Sequence, residues 1–358
     1  MTVGFIGLGL IGGSIAKAIR DKMPDTIIVA YNRNQEVLKQ AILDDVVDIA
    51  LPSPEEGFSD CDIIFICVPV IKALDYLPIL KKQIKPTCIL TDVGSTKTAI
   101  HKAVEEMGLT RQFIGGHPMT GSEKTGYANG NLLLLENAYY MLTPTDDVDP
   151  AQTEFMRTYI ADLGSLPLVL NYEQHDRVVA GVSHLPHLIS ASLVNLVHEV
   201  DAEDHLMKTV AAGGFRDITR ISSSSPEMWQ EICLANGPAI VDLLDRYITQ
   251  LTAYRDAVKR SDSDELLSIF TECKEFRDSF SSRARGEYRL YCDVADEYGA
   301  IARIAGLLAE NGISIKNIGV VHNREFEEGV LQINFYDRRS MLRSIRKLKG
   351  SGYTIYES

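Results

Sequence analysis

Three short segments carry the side chains that could do chemistry. Gly115-Gly116-His117-Pro118-Met119-Thr120-Gly121-Ser122-Glu123 follows a short apolar stretch at 111–116. A neutral imidazole at the carboxyl end of a sheet strand takes a proton from a hydroxyl near neutral pH. Loss of a hydride from a carbon bearing that hydroxyl needs such a base. Ser183-His184-Leu185-Pro186-His187 places two imidazoles at i and i+3, on one face of a helix. No acid or cysteine nearby in sequence completes a ligand set, so the pair reads as anion recognition and no metal is expected. His175-Asp176 lies earlier on the same segment. In Gly213-Gly214-Phe215-Arg216-Asp217-Ile218-Thr219-Arg220-Ile221, Arg220 follows a glycine turn and offers a planar guanidinium to a carboxylate. Ser225-Pro226 then fits the cap and first position of a helix, with Trp229 one turn in.

A cofactor site is written at the amino end. Gly7-x-Gly9-x-x-Gly12 falls between a first strand, Val3–Leu8, and a first helix, Ile11–Lys22. In that setting the glycines permit a tight turn, a close backbone approach to a pyrophosphate and close helix–strand packing. The cradle is assigned to Gly7, Gly9, Leu10, Ile11 and Gly12, with phosphates on the helix N-terminus. After the second strand the chain reads Tyr31-Asn32-Arg33-Asn34, without the acid that accepts from the ribose hydroxyls in NAD sites. Asn32 could bond the ribose, and Arg33 could stack on adenine or pair with a 2′-phosphate. NAD is the expected cofactor, with NADP left open. Val68 and Pro69 end the DIIFICVP strand, and Asp92-Val-Gly-Ser95-Thr-Lys97 ends the next, both at carboxyl ends where ligands bind in such sheets.

The elements that must hold these groups follow from patterning. Thr26–Tyr31, Asp62–Pro69, Thr87–Val93, Arg111–Gly116, Ala138–Leu142 and Leu166–Leu170 read as strands, the longer ones apolar enough to be buried on both faces. Glu36–Leu43 and Ile71–Ile84 read as helices between them. This predicts an α/β, doubly wound, Rossmann-type dinucleotide-binding domain over 1–171. Residues 172–284 carry almost only helical patterns, which predicts an all-helical substrate and dimerisation domain whose broad apolar faces meet a second copy. A polar linker precedes a βαββαβ pattern in 287–358, a ferredoxin-like plan. At its first turn, Asp296, Gly299 and Ile301 are placed to hold an amino acid's charged groups at a helix N-terminus.

The chain has 358 residues and a formal net charge of −13, which argues against a nucleic-acid partner. The longest apolar run, Ile63 to Ile71, is far short of the ~20 residues of a spanning helix, so no membrane span is expected. The six cysteines form no CxxC and read as small buried hydrophobes of a reducing compartment, with no signal peptide expected. A cytoplasmic protein is expected.

GFIGLGLIGGSIAKAI, DVGSTK, GGHPMTGSE, VSHLPHLIS and GGFRDITRISSSSPEMW, in that order, resemble the prephenate dehydrogenase family of tyrosine biosynthesis over residues 1 to about 284. The tail from about 287 looks like an ACT domain, a small-molecule regulatory module. The resemblance implies oxidative decarboxylation of prephenate to 4-hydroxyphenylpyruvate. It implies that His117 takes the ring hydroxyl proton with Ser95 beside it, and that Arg220 and His187, with His184 nearby, bind the substrate. Ser122 and Glu123 would line the pocket, the family is typically dimeric, and tyrosine is the expected effector. Arogenate dehydrogenase is the nearest alternative. A β-hydroxyacid dehydrogenase would rely on a lysine in the helical domain, where this chain offers His184 and His187. A non-catalytic amino-acid sensor would have lost the base or the glycines, and His117, Arg220 and all three glycines are present.

Overall fold

The computed structural model describes residues 1–121, 124–283, 288–295, 297–322 and 329–357. It divides into two compact units, Met1–Gln250 and Leu251–Ser358.

The first unit opens with a parallel sheet in the order β3-β2-β1-β4-β5, formed by β1 (Thr2–Ile6), β2 (Ile27–Tyr31), β3 (Ile49–Leu51), β4 (Ile63–Ile66) and β5 (Ile89–Asp92). β1 lies between β2 and β4, with Phe5 opposite Ala30 and Phe65. Side chains alternate between faces along a strand. Val3, Phe5, Ile63 and Phe65 therefore enter one core, while Ile6, Ile64 and Ile66 enter the other. That two-sided burial explains the unbroken apolar runs. Helices α1 (Leu10–Lys22), α2 (Gln35–Leu43), α3 (Val70–Lys81) and α4 (Thr98–Glu106) connect the strands. A bridge from Leu90 to Phe113 leads to a second sheet of β6 (Ile114–Pro118), β7 (Tyr139–Pro144) and β8 (Leu166–Val169), with α5 (Pro150–Asp162) before β8. β6 runs antiparallel to β7, and β7 parallel to β8.

Helices follow: α6 (Tyr172–Val179), one π-helical turn at Ala180–His184, then α7 (Leu185–Val200), continuous as Tyr172–Val200. The π turn has a cause in Pro186, which has no N–H to give the preceding turn and whose ring crowds the carbonyl four residues back. This helix differs from the sequence expectation about membranes. It is long and apolar enough to cross one by length and composition, a property hidden from a search for unbroken apolar runs. Five of its polar side chains, His175, Asp176, His184, His187 and Ser190, are nevertheless buried, and Glu173, Gln174 and Arg177 are exposed. Short helices α8 (Leu206–Val210) and α9 (Gly213–Thr219) precede α10 (Pro226–Ala235) and the long α11 (Gly237–Arg260), within which the division between units falls. Gly213-Gly214, expected as a turn, opens α9.

The second unit contains α12 (Ser263–Arg283) and an antiparallel sheet in the order β10-β11-β9-β12. Its elements run β9 (Tyr288–Val294), α13 (Ala300–Glu310), β10 (Ile315–His322), β11 (Gly329–Phe335), α14 (Arg338–Gly350) and β12 (Ile355–Glu357). Leu290, Cys292, Leu331 and Ile333 on the sheet meet Ile304, Leu308 and Leu348 on the helices. All six cysteines are free thiols. Cys61, Cys88 and Cys292 are buried as expected, whereas Cys273 is exposed on α12.

Candidate active site

The glycine loop has the shape of a phosphate cradle. Gly7 sits at φ +93°, where a side chain would be strained, and a Cβ there would lie 2.7 Å from the Cys67 carbonyl oxygen. A Cβ on Gly12 would lie 2.4 Å from the Gly7 carbonyl oxygen, so helix and strand touch through it. Gly9 faces open space, with nothing within 4 Å of its Cβ position, and no side chain caps the helix that begins at Leu10 and Ile11. Unpaired amides beside an open approach are what a pyrophosphate requires. Asn32 has a structural part beside the one expected for it. Its Oδ1 accepts from the Leu8 amide at 3.0 Å and its Nδ2 donates to the Asn34 carbonyl at 2.9 Å, so it braces the loop. Arg33 is exposed at the end of β2. Val68 packs at Gly7, and Pro69 caps α3.

Ser95, half-buried, lies in the turn after β5. Asp92 organises this turn, accepting from the Gly94 amide at 2.8 Å and the Gly116 amide at 3.2 Å while pairing with the fully buried Lys97. The two glycines before His117 let β6 come this close. A Cβ at Gly115 would lie 2.3 Å from Thr143 Oγ1, and one at Gly116 2.5 Å from the Asp92 carbonyl oxygen.

His117 ends β6 and is 9% exposed. Its Nδ1 lies 2.8 Å from His175 Nε2, and His175 Nδ1 lies 2.8 Å from Asp176 Oδ1. Asp176 also accepts from the Lys97 amide, the Thr98 amide and the Thr98 hydroxyl at 2.8, 2.8 and 2.6 Å. It thus caps α4 from another element. These bonds hold its carboxyl below the usual range, despite burial. Burial pushes His175 down, against the pull of Asp176. Burial pushes His117 well below the ordinary histidine value, with His175 and Lys97 adding to it. Both rings are therefore neutral at neutral pH, and the proton positions follow. The Asp176 carboxylate accepts a hydrogen bond from His175 Nδ1–H, His175 Nε2 accepts from His117 Nδ1–H, and His117 Nε2 presents a lone pair.

His184 and His187 line up beyond. Trp229 stacks on His187 at 3.5 Å between centroids and meets His184 edge-on at 6.0 Å. Both histidines are buried, and desolvation lowers His184 to about 4. Ser225 caps α10 with Pro226 at its first position, as expected, and so fixes Trp229. Arg220 is exposed at the start of a 3-10 turn. Its segment is tied to that of the histidines two residues later, where Ser222 Oγ bonds Ser190 Oγ. Ser122 and Glu123 lie outside the described residues, as does Asp296. Gly299 caps α13 at φ +79°, and Ile301 is exposed in its first turn.

Sequence reasoning noted His175-Asp176 without giving it a role, and passed over Lys97 and Asn236. The signal for the first was an acid beside a histidine on the segment that carries His184. Lys97 was visible only as the end of DVGSTK, and Asn236 left no signal at all.

Comparison with known proteins fits this geometry. The family model for the prephenate dehydrogenase nucleotide-binding domain matches residues 15–166, and that for the prephenate dehydrogenase dimerization domain matches 171–272. Prephenate dehydrogenase of Bacillus subtilis is 38% identical over 340 residues, covering 93% of this chain and 92% of that protein. The chain belongs to the prephenate dehydrogenase family. Among solved structures, prephenate dehydrogenase from A. aeolicus with hydroxyphenyl propionate and NAD+ superimposes with TM-score 0.73 at 28% identity, over 78% of this chain and 98% of that one. Arogenate dehydrogenase of Synechocystis gives TM-score 0.71 at 32% identity, over 78% and 100%. The Rossmann-like nucleotide-binding domain and the helical dimerization domain of the family are thus both present.

Proposed function

We propose that the protein oxidatively decarboxylates prephenate, with NAD as hydride acceptor, at the carboxyl ends of β4, β5 and β6. The observation that carries this reading is the chain His117–His175–Asp176, which presents one imidazole lone pair beside the turn that holds Ser95. The glycine cradle fits the cofactor, with Gly9 open and the amides at Leu10 and Ile11 facing outward. Bound NAD supplies the acceptor for the hydride leaving C4 of the ring. His117 Nε2 takes the C4 hydroxyl proton as that carbon becomes a carbonyl carbon. The C1–carboxylate bond then breaks, its electron pair aromatises the ring, and CO2 leaves. The resulting phenolate, whose conjugate acid has a pKa of about 10, takes the proton back from His117, so no net proton is released. Ser95 orients the hydroxyl, and Arg220 with His184 and His187 holds the carboxylates. Aromatisation makes the step irreversible. Prephenate is preferred to arogenate on overall similarity, the Bacillus subtilis prephenate dehydrogenase being 38% identical over 93% of this chain.

Replacing His117 by Asn tests the assignment. Turnover should fall by about 10²-fold or more, the scale of a lost general base, with NAD affinity unchanged. Full turnover would remove His117 from the role.

The domain division is proposed as 1–171, 172–284 and 287–358, supported by family matches that end at 166 and resume at 171. A homodimer formed through the helical domain is supported by exposed Val182, Leu234, Val241 and Ile248. The tail is read as a ferredoxin-like, ACT-like domain on its element order, with tyrosine as the effector held near Gly299 and Ile301. The buried thiols of Cys61 and Cys88 agree with a cytoplasmic enzyme.

A further inference from the structure

Asn236 sits at the carboxyl end of α10, 4% exposed, and reaches between two elements of the site. Its Nδ2 lies 2.8 Å from the backbone carbonyl oxygen of Asp176 and 3.1 Å from His184 Nδ1. A carbonyl oxygen only accepts, so the amide nitrogen must face it and the orientation of the amide is fixed. The nitrogen's two hydrogens then go to the Asp176 carbonyl and to His184 Nδ1. His184 Nδ1 must therefore carry a lone pair, and the ring's single proton sits on Nε2. That N–H makes no hydrogen bond among the described residues, and it is not one of the fully enclosed unpaired side-chain atoms, so it is left for a ligand to meet.

We propose that Asn236 is a positioning residue for this reaction: it locks His184 as a hydrogen-bond donor, through Nε2, to a carboxylate oxygen of the substrate. The inference deepens the proposed function and rests on it for the identity of the acceptor. It gives the site two neutral imidazoles of opposite character. His117 is turned by His175 so that Nε2 accepts, and His184 is turned by Asn236 so that Nε2 donates. A donor of fixed direction that the protein leaves unpaired is free to bond an anionic oxygen of a ligand. Burial, which holds His184 at about 4, keeps the ring neutral, so the donor is an N–H of fixed position and not a mobile charge. The same amide steadies the Asp176 backbone, on which the orientation of His175 depends. Base and donor thus share one anchor.

Two measurements test this on the full chain. In the wild-type protein, 15N-edited NMR of the histidine rings should report His184 with an unprotonated Nδ1 and a protonated Nε2; the reverse tautomer overturns the proposal, whatever the enzyme turns over. In Asn236→Asp, the new carboxylate draws the ring proton to Nδ1 and leaves Nε2 without a donor. KM for prephenate should then rise about tenfold or more, the scale of one hydrogen bond to a charged group, and by a larger factor than kcat falls. A folded variant with unchanged KM, or a loss confined to kcat, overturns it. Absence of any turnover by the wild-type chain would instead defeat the proposed function and leave the tautomer result standing.

Discussion

In its proposed role as base His117 must be neutral, and burial beside His175 and Lys97 keeps it so. Its pKa is depressed, so kcat should be flat from pH 6.5 upward through neutrality and fall only on the acid side. A pH–rate profile with a basic apparent pKa above 6.5 for this group would contradict the assignment. Stability has the same sign. His101 and His184 are held at about 4 in the fold, against an ordinary value near 6.5. The unfolded chain therefore binds more protons between these values, and stability is lost as pH falls from about 6.5 towards 4. Thermal melts should follow that slope, and His101→Gln, which removes one contributor, should make it shallower. Arg220, exposed at the start of its 3-10 turn, is proposed for substrate binding and not for the proton path. Arg220→Ala should raise KM for prephenate by about tenfold or more with a smaller change in kcat, the scale of one lost charge-assisted hydrogen bond; an unchanged KM in steady-state assays would remove it from the site.

The glycine loop separates folding from binding within one motif. Gly9 has room for a methyl group and ordinary backbone angles, so Gly9→Ala should melt like the wild type and lose NAD affinity. Gly12 has none, and Gly12→Ala should cost about 1–3 kcal/mol of stability, as overpacking does. Calorimetry of both variants with and without NAD checks the pair, and equal behaviour of the two would contradict the cradle. Strands β1, β4 and β5 were legible because burial on both faces leaves an unbroken apolar run. Helix α4 was not, because its N-terminal amides are capped by Asp176, 78 residues downstream, and no local cap residue announces it. Helix α5 does carry a local signal, Asp149 before Pro150, which the apolar periodicity did not reinforce. The site divided in the same way. His117, His184 and His187 could be picked out by type and spacing. The relay through His175 and the amide of Asn236 depend on contacts across 58 and 52 positions, which no local pattern encodes.

At the scale of the whole molecule, an acidic chain of net charge −13 that takes a dianionic substrate must attract it with local donors and not with net charge. The helical domain leaves apolar side chains outward, so light scattering should give twice the 39.7 kDa chain mass; a monomer at working concentration would contradict the dimer. The second unit carries its own core, and removal of residues 286–358 should relieve inhibition by tyrosine while leaving turnover in place. Equal inhibition of both chains would move the effector to the active site. The most direct test of the central claim is a paired absorbance and CO2 assay of the purified full chain with prephenate or arogenate and NAD+ or NADP+. Prephenate and NAD+ should yield reduced nicotinamide and CO2 in equal amounts, with 4-hydroxyphenylpyruvate as the product. Reduction without CO2 release, or no reduction with prephenate under any pairing, would contradict the claim.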